Sequence, residues 1–140
     1  MDSPPPLGPV LETCLYVRDP ARACAFYERV LGLDPMMQDD RITAYAVAPG
    51  SALLLFRQGT TDEPARTPGG VIPPHDGSGR LHFAFAIAAD ALQAWRDHLA
   101  RHQVVVESEV NWPRGGCSVY FRDPEENLVE LATPGLWRNY

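Results

Sequence analysis

Val10-Leu11-Glu12-Thr13-Cys14-Leu15-Tyr16-Val17 is a run of β-prone residues, and Asp19-Pro20 follows almost at once. Asp is a favoured helix N-cap and Pro a favoured first helical residue. The chain therefore switches from strand to helix at this point. The spacing predicts a helix over residues 20–31, stopped by Gly32, with Ala23, Phe26, Tyr27 and Val30 as its buried stripe. Three strand candidates come next, over residues 35–38, 42–47 and 52–57. The same order then begins again. Leu81-His82-Phe83-Ala84-Phe85-Ala86-Ile87 reads as a strand, and Asp90 with Gln93 resembles a capping box. Leu92, Trp95 and Leu99 lie on one helical face. Strand candidates follow over residues 104–110, 118–122 and 128–132. A β-α-β-β-β order occurs twice, as a pattern more than as residue identity.

Residues 58–79 separate the two copies. They hold four prolines, five glycines and no apolar periodicity. Such stretches within a compact chain are lids, binding loops or connectors. The expected organisation is a single domain over residues 1–140, with module one at about 8–59, a connector at 58–79 and module two at about 80–134. His75, in the connector, is expected to be exposed, as are His98 and His102 on or after the second helix.

Composition narrows the function. The chain has 140 residues and a formal charge of −6, with 12 basic residues that are all arginine. An acidic chain is a poor general binder of nucleic acid. No apolar run approaches the roughly 18–20 residues of a membrane span. Met1-Asp2-Ser3-Pro4-Pro5-Pro6 has neither the basic nor the apolar region of a secretory signal and reads as an extended tail. Cys14, Cys24 and Cys117 match neither a disulfide framework nor a zinc-ligand spacing. A cytoplasmic location is expected. The absence of lysine weighs against Schiff-base chemistry and leaves arginine as the strong cation for an anionic substrate.

Side chains alternate across a strand. Phe83, Phe85 and Ile87 share one face; His82, Ala84 and Ala86 share the other. Small residues beside a histidine describe a cavity wall. In the first strand Glu12, Cys14 and Tyr16 oppose Thr13, Leu15 and Val17. In the last, Glu130 sits between Val129 and Leu131, where an unpaired buried carboxylate is costly. Taken singly, both glutamates can point to solvent and His82 can bond a backbone carbonyl. Taken together they suggest more. Glu12 lies five residues before Val17, and His82 five before Ile87, so the two hold matching positions in the repeats. If the halves pair about a pseudo-two-fold axis, these positions meet, and Glu130 is a third donor. One imidazole and two carboxylates suit a divalent cation and leave coordination positions open.

Leu15-Tyr16-Val17-Arg18-Asp19-Pro20, Ala25-Phe26-Tyr27-Glu28-Arg29-Val30-Leu31-Gly32-Leu33, Leu81-His82-Phe83-Ala84-Phe85 and the stretch from Tyr120-Phe121-Arg122-Asp123-Pro124 to Asn127-Leu128-Val129-Glu130-Leu131 together carry a resemblance. The chain resembles the vicinal oxygen chelate superfamily of glyoxalases, bleomycin- and fosfomycin-resistance proteins and extradiol dioxygenases. The resemblance implies an α+β fold. In it, two βαβββ modules form an open, barrel-like sheet of eight strands with the helices outside. It places metal ligands at Glu12, His82 and Glu130 and implies one divalent ion, Mn, Fe, Ni, Zn or Mg. Aligning Gly59 with Gly135 sets Leu54 opposite Glu130, so a fourth protein ligand is not expected there. Glu126 stands where a glycine is common in the family, which suggests that Asn127 takes the left-handed conformation of the turn.

The implied activity is that of a metal-dependent lyase or isomerase acting on a small oxygen-chelating substrate, with Glu130, or second Glu12, as the base. Tyr120 is placed near the substrate by the resemblance. Arg122 shares its face, Cys14 shares the face of Glu12, and Trp112 and Arg114 are candidates for the rim. Two alternatives are a metal-free small-molecule binding protein of the bleomycin-resistance type and a fosfomycin-type resistance enzyme. A homodimer is expected, because half-barrel modules expose sheet edges that need cover.

Overall fold

The structure, a computed structural model, describes residues 2–140. The first half runs β1 (Glu12–Val17), α1 (Pro20–Arg29), β2 (Asp34–Gln38), β3 (Ile42–Ala48) and β4 (Ser51–Arg57). These strands form a four-stranded sheet in the order β1-β4-β3-β2. A short hairpin, β5 (Ala65–Thr67) and β6 (Gly70–Ile72), follows. The second half runs β7 (His82–Ala86), a 3-10 turn (Ala89–Ala91), α2 (Leu92–Arg101), β8 (Ser108–Asn111), β9 (Cys117–Arg122) and β10 (Leu128–Ala132). Its sheet has the order β7-β10-β9-β8. The fold is thus α+β with the βαβββ order used twice, and the sheets stay open rather than closing into a barrel.

The helix start is the one the residues dictate. The Asp19 carboxylate accepts the Arg22 backbone N–H at 3.2 Å, and Pro20 occupies the first turn. The helix ends at Arg29, two residues earlier than its apolar spacing suggested, and Gly32 takes a positive φ of 68° just beyond. Ala23, Cys24 and Tyr27 are its buried residues.

The start of α2 differs from expectation. Asp90 lies inside the 3-10 turn, so α2 begins at Leu92, with Ala91 at the N-cap and no side-chain cap. Gln93 donates to Asp97 instead, at 2.9 Å. The strand expected over residues 104–110 shrinks to Ser108–Asn111. Val104 and Val106 pack against the core around Leu99 rather than extending the ladder.

Two apolar clusters form the core. One gathers Leu15, Val17, Tyr27, Tyr45, Leu53 and Leu55; the other gathers Val30, Leu99, Val119, Phe121, Val129 and Leu131. Phe26, Leu31, Phe83 and Phe85 pack against both and join them. Polar links reinforce that joint. Tyr27 Oη donates to Asp123 Oδ2 at 2.7 Å, and Glu125 accepts the backbone N–H groups of Arg18 and Asp19 ahead of α1. The Asp123-Pro124 turn after β9 therefore holds the first helix in place.

Asp123 also shapes its own turn. Its Oδ1 accepts from Glu125 N and Asn127 N, both at 2.9 Å, and its Oδ2 accepts from Asn127 Nδ2 at 2.9 Å. Asn127 Oδ1 in turn accepts Leu81 N, at the entry to β7. These bonds engage both ends of the Asn127 side chain, and Glu126, not Asn127, takes the positive φ, at 71°.

β1 pairs in parallel with β4, and β7 with β10. Glu12 is opposite Ala52 and Cys14 opposite Leu54; His82 is opposite Leu128 and Ala84 opposite Glu130. The register thus makes Glu12 equivalent to His82, and Leu54 equivalent to Glu130. Leu54 is buried, so the position matching Glu130 is apolar. Among the described residues no helix is long and apolar enough to cross a membrane.

Candidate functional site

The free face of the second sheet carries His82, Ala84 and Ala86 from β7, Leu128 and Glu130 from β10, and Ser118 and Tyr120 from β9. Strand alternation puts them on the side opposite Phe83, Val129 and Phe121. The two alanines leave open space beside His82, whose side chain is 49% exposed. Glu130 is only 5% exposed, although it carries a carboxylate.

Three contacts account for that buried acid. Ser118 Oγ donates to Glu130 Oε2 at 2.5 Å, and Trp112 Nε1 donates to Ser118 Oγ at 2.8 Å. His82 Nε2 lies 3.2 Å from Glu130 Oε1. The other ring nitrogen, His82 Nδ1, is 2.9 Å from the Leu128 carbonyl oxygen. A carbonyl only accepts, so Nδ1 carries a proton. In a neutral ring Nε2 is then bare, and its lone pair faces an oxygen that is also an acceptor when Glu130 is ionised. Two acceptors at this distance require a cation between them, either a proton or a metal ion.

The donor set fits a metal. Imidazole and carboxylate are the ligands of Zn, Mn, Fe and Ni sites. The Leu128 carbonyl supplies the partner that a metal-binding histidine ordinarily has on its other nitrogen.

Tyr120 lies beside the pair, its ring centroid 6.2 Å from that of His82. Burial, then the Glu130 charge, raise its phenol above the ordinary value, so it stays protonated at neutral pH and can donate a hydrogen bond.

Glu12 is not in this group. Within one chain β1 and β7 belong to different sheets, so strand pairing does not bring Glu12 beside His82. Among the described residues no three His, Cys, Asp or Glu side chains gather closely enough to hold a metal ion. Glu12 stands exposed at the start of β1, on the face shared by Cys14 and Tyr16. Burial, then Glu12, raise the Cys14 thiol, which makes it a weak nucleophile.

The remaining candidates are dispersed. Arg122 is engaged by Glu107 Oε2 at 2.7 Å and the Glu126 carbonyl at 3.1 Å. Arg114 is exposed in the β8–β9 turn. Trp112 is half-buried, and its indole N–H is engaged by Ser118. Ser118 itself escaped the sequence reading. Its alternation with Tyr120 in β9 was the available signal, but a serine becomes notable only when the register sets it beside Glu130.

His75 departs from expectation as well. It is half-buried, with Nδ1 2.6 Å from Tyr16 Oη and its ring edge-on to Phe56 at 4.8 Å. Its backbone N–H donates to the Thr61 carbonyl at 2.9 Å, and Gln58 donates to the Gly77 carbonyl. The connector therefore folds down over one end of the free face of the first sheet. A Cβ on Gly77 would lie 2.6 Å from Tyr16 Cε2, so the close approach requires glycine. His98 is also half-buried, its Nε2 donating to the Val30 carbonyl at 2.7 Å.

Fold and site together define an open-sheet protein with a histidine–carboxylate pair on one face of its second sheet. The sequence matches the profile of the Glyoxalase/Bleomycin resistance protein/Dioxygenase superfamily over residues 10–131, and the chain belongs to that superfamily. A solved structure of lactoylglutathione lyase from Agrobacterium tumefaciens is similar at 31% identity and a TM-score of 0.86, covering 96% of this chain and 99% of that one. A fosfomycin resistance protein from Listeria monocytogenes has a TM-score of 0.65 at 17% identity, covering 91% of this chain and 93% of that one. A glyoxalase/dioxygenase from Nostoc punctiforme has a TM-score of 0.64 at 19% identity, covering 94% and 98%. The last two share the fold. Comparison with curated proteins gives no match.

Proposed function

We propose that this chain is a metal-dependent lyase or isomerase of the glyoxalase type, acting on a small substrate that chelates through oxygen. The observation that carries the reading is the approach of His82 Nε2 to Glu130 Oε1, 3.2 Å apart, on a face where His82, Ala84 and Ala86 are exposed. The likeness to the lactoylglutathione lyase structure supports the lyase assignment over the other activities of the superfamily.

His82 and Glu130 would hold one divalent ion, of the Mn, Fe, Ni, Zn or Mg group. Bound there, it would act as Lewis acid and template for the substrate oxygens. The chain's own part follows from its geometry. In this reading a carboxylate of the ligand set, Glu130 or second Glu12, would act as the base that takes a proton from carbon beside a carbonyl. Tyr120, protonated, would donate to an oxyanion in this reading. Ala84 and Ala86 leave room for the substrate.

Glu12 completes the ligand set from a second copy of the chain in this reading. The site has one wall within the chain, and His82 is half-exposed. Leu11, Met36 and Met37 are exposed on the two edge strands of the first sheet or beside them, an apolar margin suited to a partner. A metal-free binding module is the second reading, favoured by the separation of Glu12 from His82 and Glu130.

The test is metal analysis. Protein stripped with chelator and dialysed against each divalent ion is expected to retain about one ion per chain, whereas Glu130→Gln retains none. Light scattering is expected to report a dimer. A wild-type chain that takes up no ion supports the binding module and ends the enzyme reading.

A further inference from the structure

We propose that Ser118 and Trp112 are positioning residues that hold Glu130 as a one-oxygen metal donor. The inference rests on the reading that His82 and Glu130 bind a metal ion. It follows from counting protons along the chain Trp112–Ser118–Glu130.

An indole N–H only donates. The 2.8 Å bond from Trp112 Nε1 therefore makes Ser118 Oγ the acceptor at that contact. A serine hydroxyl has one proton, and it goes to Glu130 Oε2 at 2.5 Å. With the indole donating, the Ser118 proton is free to go to Glu130, and the Tyr120 phenol joins the same group by bonding Ser118 and Glu130. Oε2 is committed to the protein, and Oε1 alone is turned toward His82.

The relay is built rather than incidental. Ser118 is fully buried, with Val110 and Ala132 as its register partners on either side. Trp112 is locked by its own turn, with its N–H donating to the Gly116 carbonyl at 2.8 Å and its carbonyl accepting Gly115 N at 2.9 Å. That turn is pinned in its place. Gly116 N donates to the Gly135 carbonyl at 3.2 Å, and a Cβ on Gly116 would fall 2.7 Å from the Gly135 carbonyl carbon. A contact between glycine backbones at the exit of β10 thus fixes an indole, the indole fixes a hydroxyl, and the hydroxyl fixes one oxygen of the carboxylate.

Without the relay, Glu130 could swing or present both oxygens to one ion. Loss of such supporting contacts ordinarily weakens metal binding by about 10–100-fold. The experiment uses full-length protein loaded with Co²⁺ as the probe. Affinity is read by calorimetry and ligand geometry by the visible absorption bands. Ser118→Ala and Trp112→Phe are each expected to weaken Co²⁺ binding by about 10-fold or more and to alter the bands. Ser118→Thr, which keeps the hydroxyl, is expected to restore both. Trp112→Phe is expected to add little once Ser118→Ala is present, because its effect passes through the hydroxyl. The thermal midpoints of the metal-free variants separate a general loss of folding from this specific one. Wild-type affinity and bands in Trp112→Phe overturn the inference and leave the metal reading standing. Independent, additive losses in the double variant also overturn it. No Co²⁺ binding by the wild type overturns both.

Discussion

Replacing Asp123 with alanine removes the acceptor for four donors at once. Tyr27 Oη at 2.7 Å and Asn127 Nδ2, Asn127 N and Glu125 N at 2.9 Å all bond its carboxylate, which is 4% exposed. Tyr27 and Asn127 are fully buried, so three donors lose their partner with no water to replace it. The half-buried Glu125 N–H has easier access to solvent. A buried donor left unpaired costs about 1–3 kcal/mol, and losses within one network do not add fully. Asp123→Ala is therefore expected to lose about 3–4 kcal/mol, a large part of the total for a chain of this size. At about 3–4 °C per kcal/mol the midpoint falls by about 10–15 °C. Urea unfolding followed by far-ultraviolet dichroism and by tryptophan fluorescence measures the change, and coincident curves validate the two-state treatment. Asp123→Asn keeps the shape and one acceptor and is expected to lose about half as much. Tyr27→Phe alone is expected to cost about 1 kcal/mol and, in the Asp123→Ala background, nothing further. A loss below about 1 kcal/mol for Asp123→Ala, or full additivity with Tyr27→Phe, would refute the claim that this turn ties α1 to the second sheet.

Alkaline pH supplies a second test. Burial, then Asp123, hold the Tyr27 phenol well above its ordinary value; burial, then Cys24 and Glu28, do the same for Tyr45. Unfolded tyrosine titrates near pH 10 while these two keep their protons in the fold, so stability is intact below about pH 10 and falls as pH rises further. Tyr27→Phe is expected to flatten that fall in urea titrations at stepped pH. Gly77→Ala drives a methyl group into the Tyr16 ring and is expected to cost about 1–3 kcal/mol, with faster amide exchange over residues 58–79; unchanged protection there would contradict the docked connector. If Glu12 reaches His82 and Glu130 across a dimer, refolding Glu12→Gln with Glu130→Gln restores one intact site per mixed dimer, or roughly a quarter of an ion per chain after random pairing. No recovery would place the site within one chain.

Much of the fold was legible because its signals are local. Asp19-Pro20 caps a helix wherever it precedes an amphipathic run, and Gly32 ends one. The alternation around His82 and Glu130 placed both on one face of their strands, and they meet. What escaped the sequence depends on distance. Alternation tells which face Glu12 occupies but not which sheet edges adjoin, so its separation from His82 was hidden. The failed Asp90–Gln93 box shows the same limit, since a 3-10 turn moved the helix start by one residue. The connector lacks periodicity, yet a short hairpin and the His75–Tyr16 contact order it, and only the tertiary structure brings those residues together. Ser118 and Trp112 are ordinary residues whose significance arises from the β9–β10 register.

The parallel registers of β1 with β4 and β7 with β10 have a consequence for how chemistry is distributed along the molecule. The backbone frame is written twice, but its symmetry is broken by the side chains. Leu54 and Glu130 hold the same coordinate in the two copies, one greasy and one charged. Reactivity is therefore not a property of the architecture, which would offer it at both places. In the proposed reading it would rest on a few substituents of one half. The other half carries Glu12, an acid, at the coordinate where its twin carries His82.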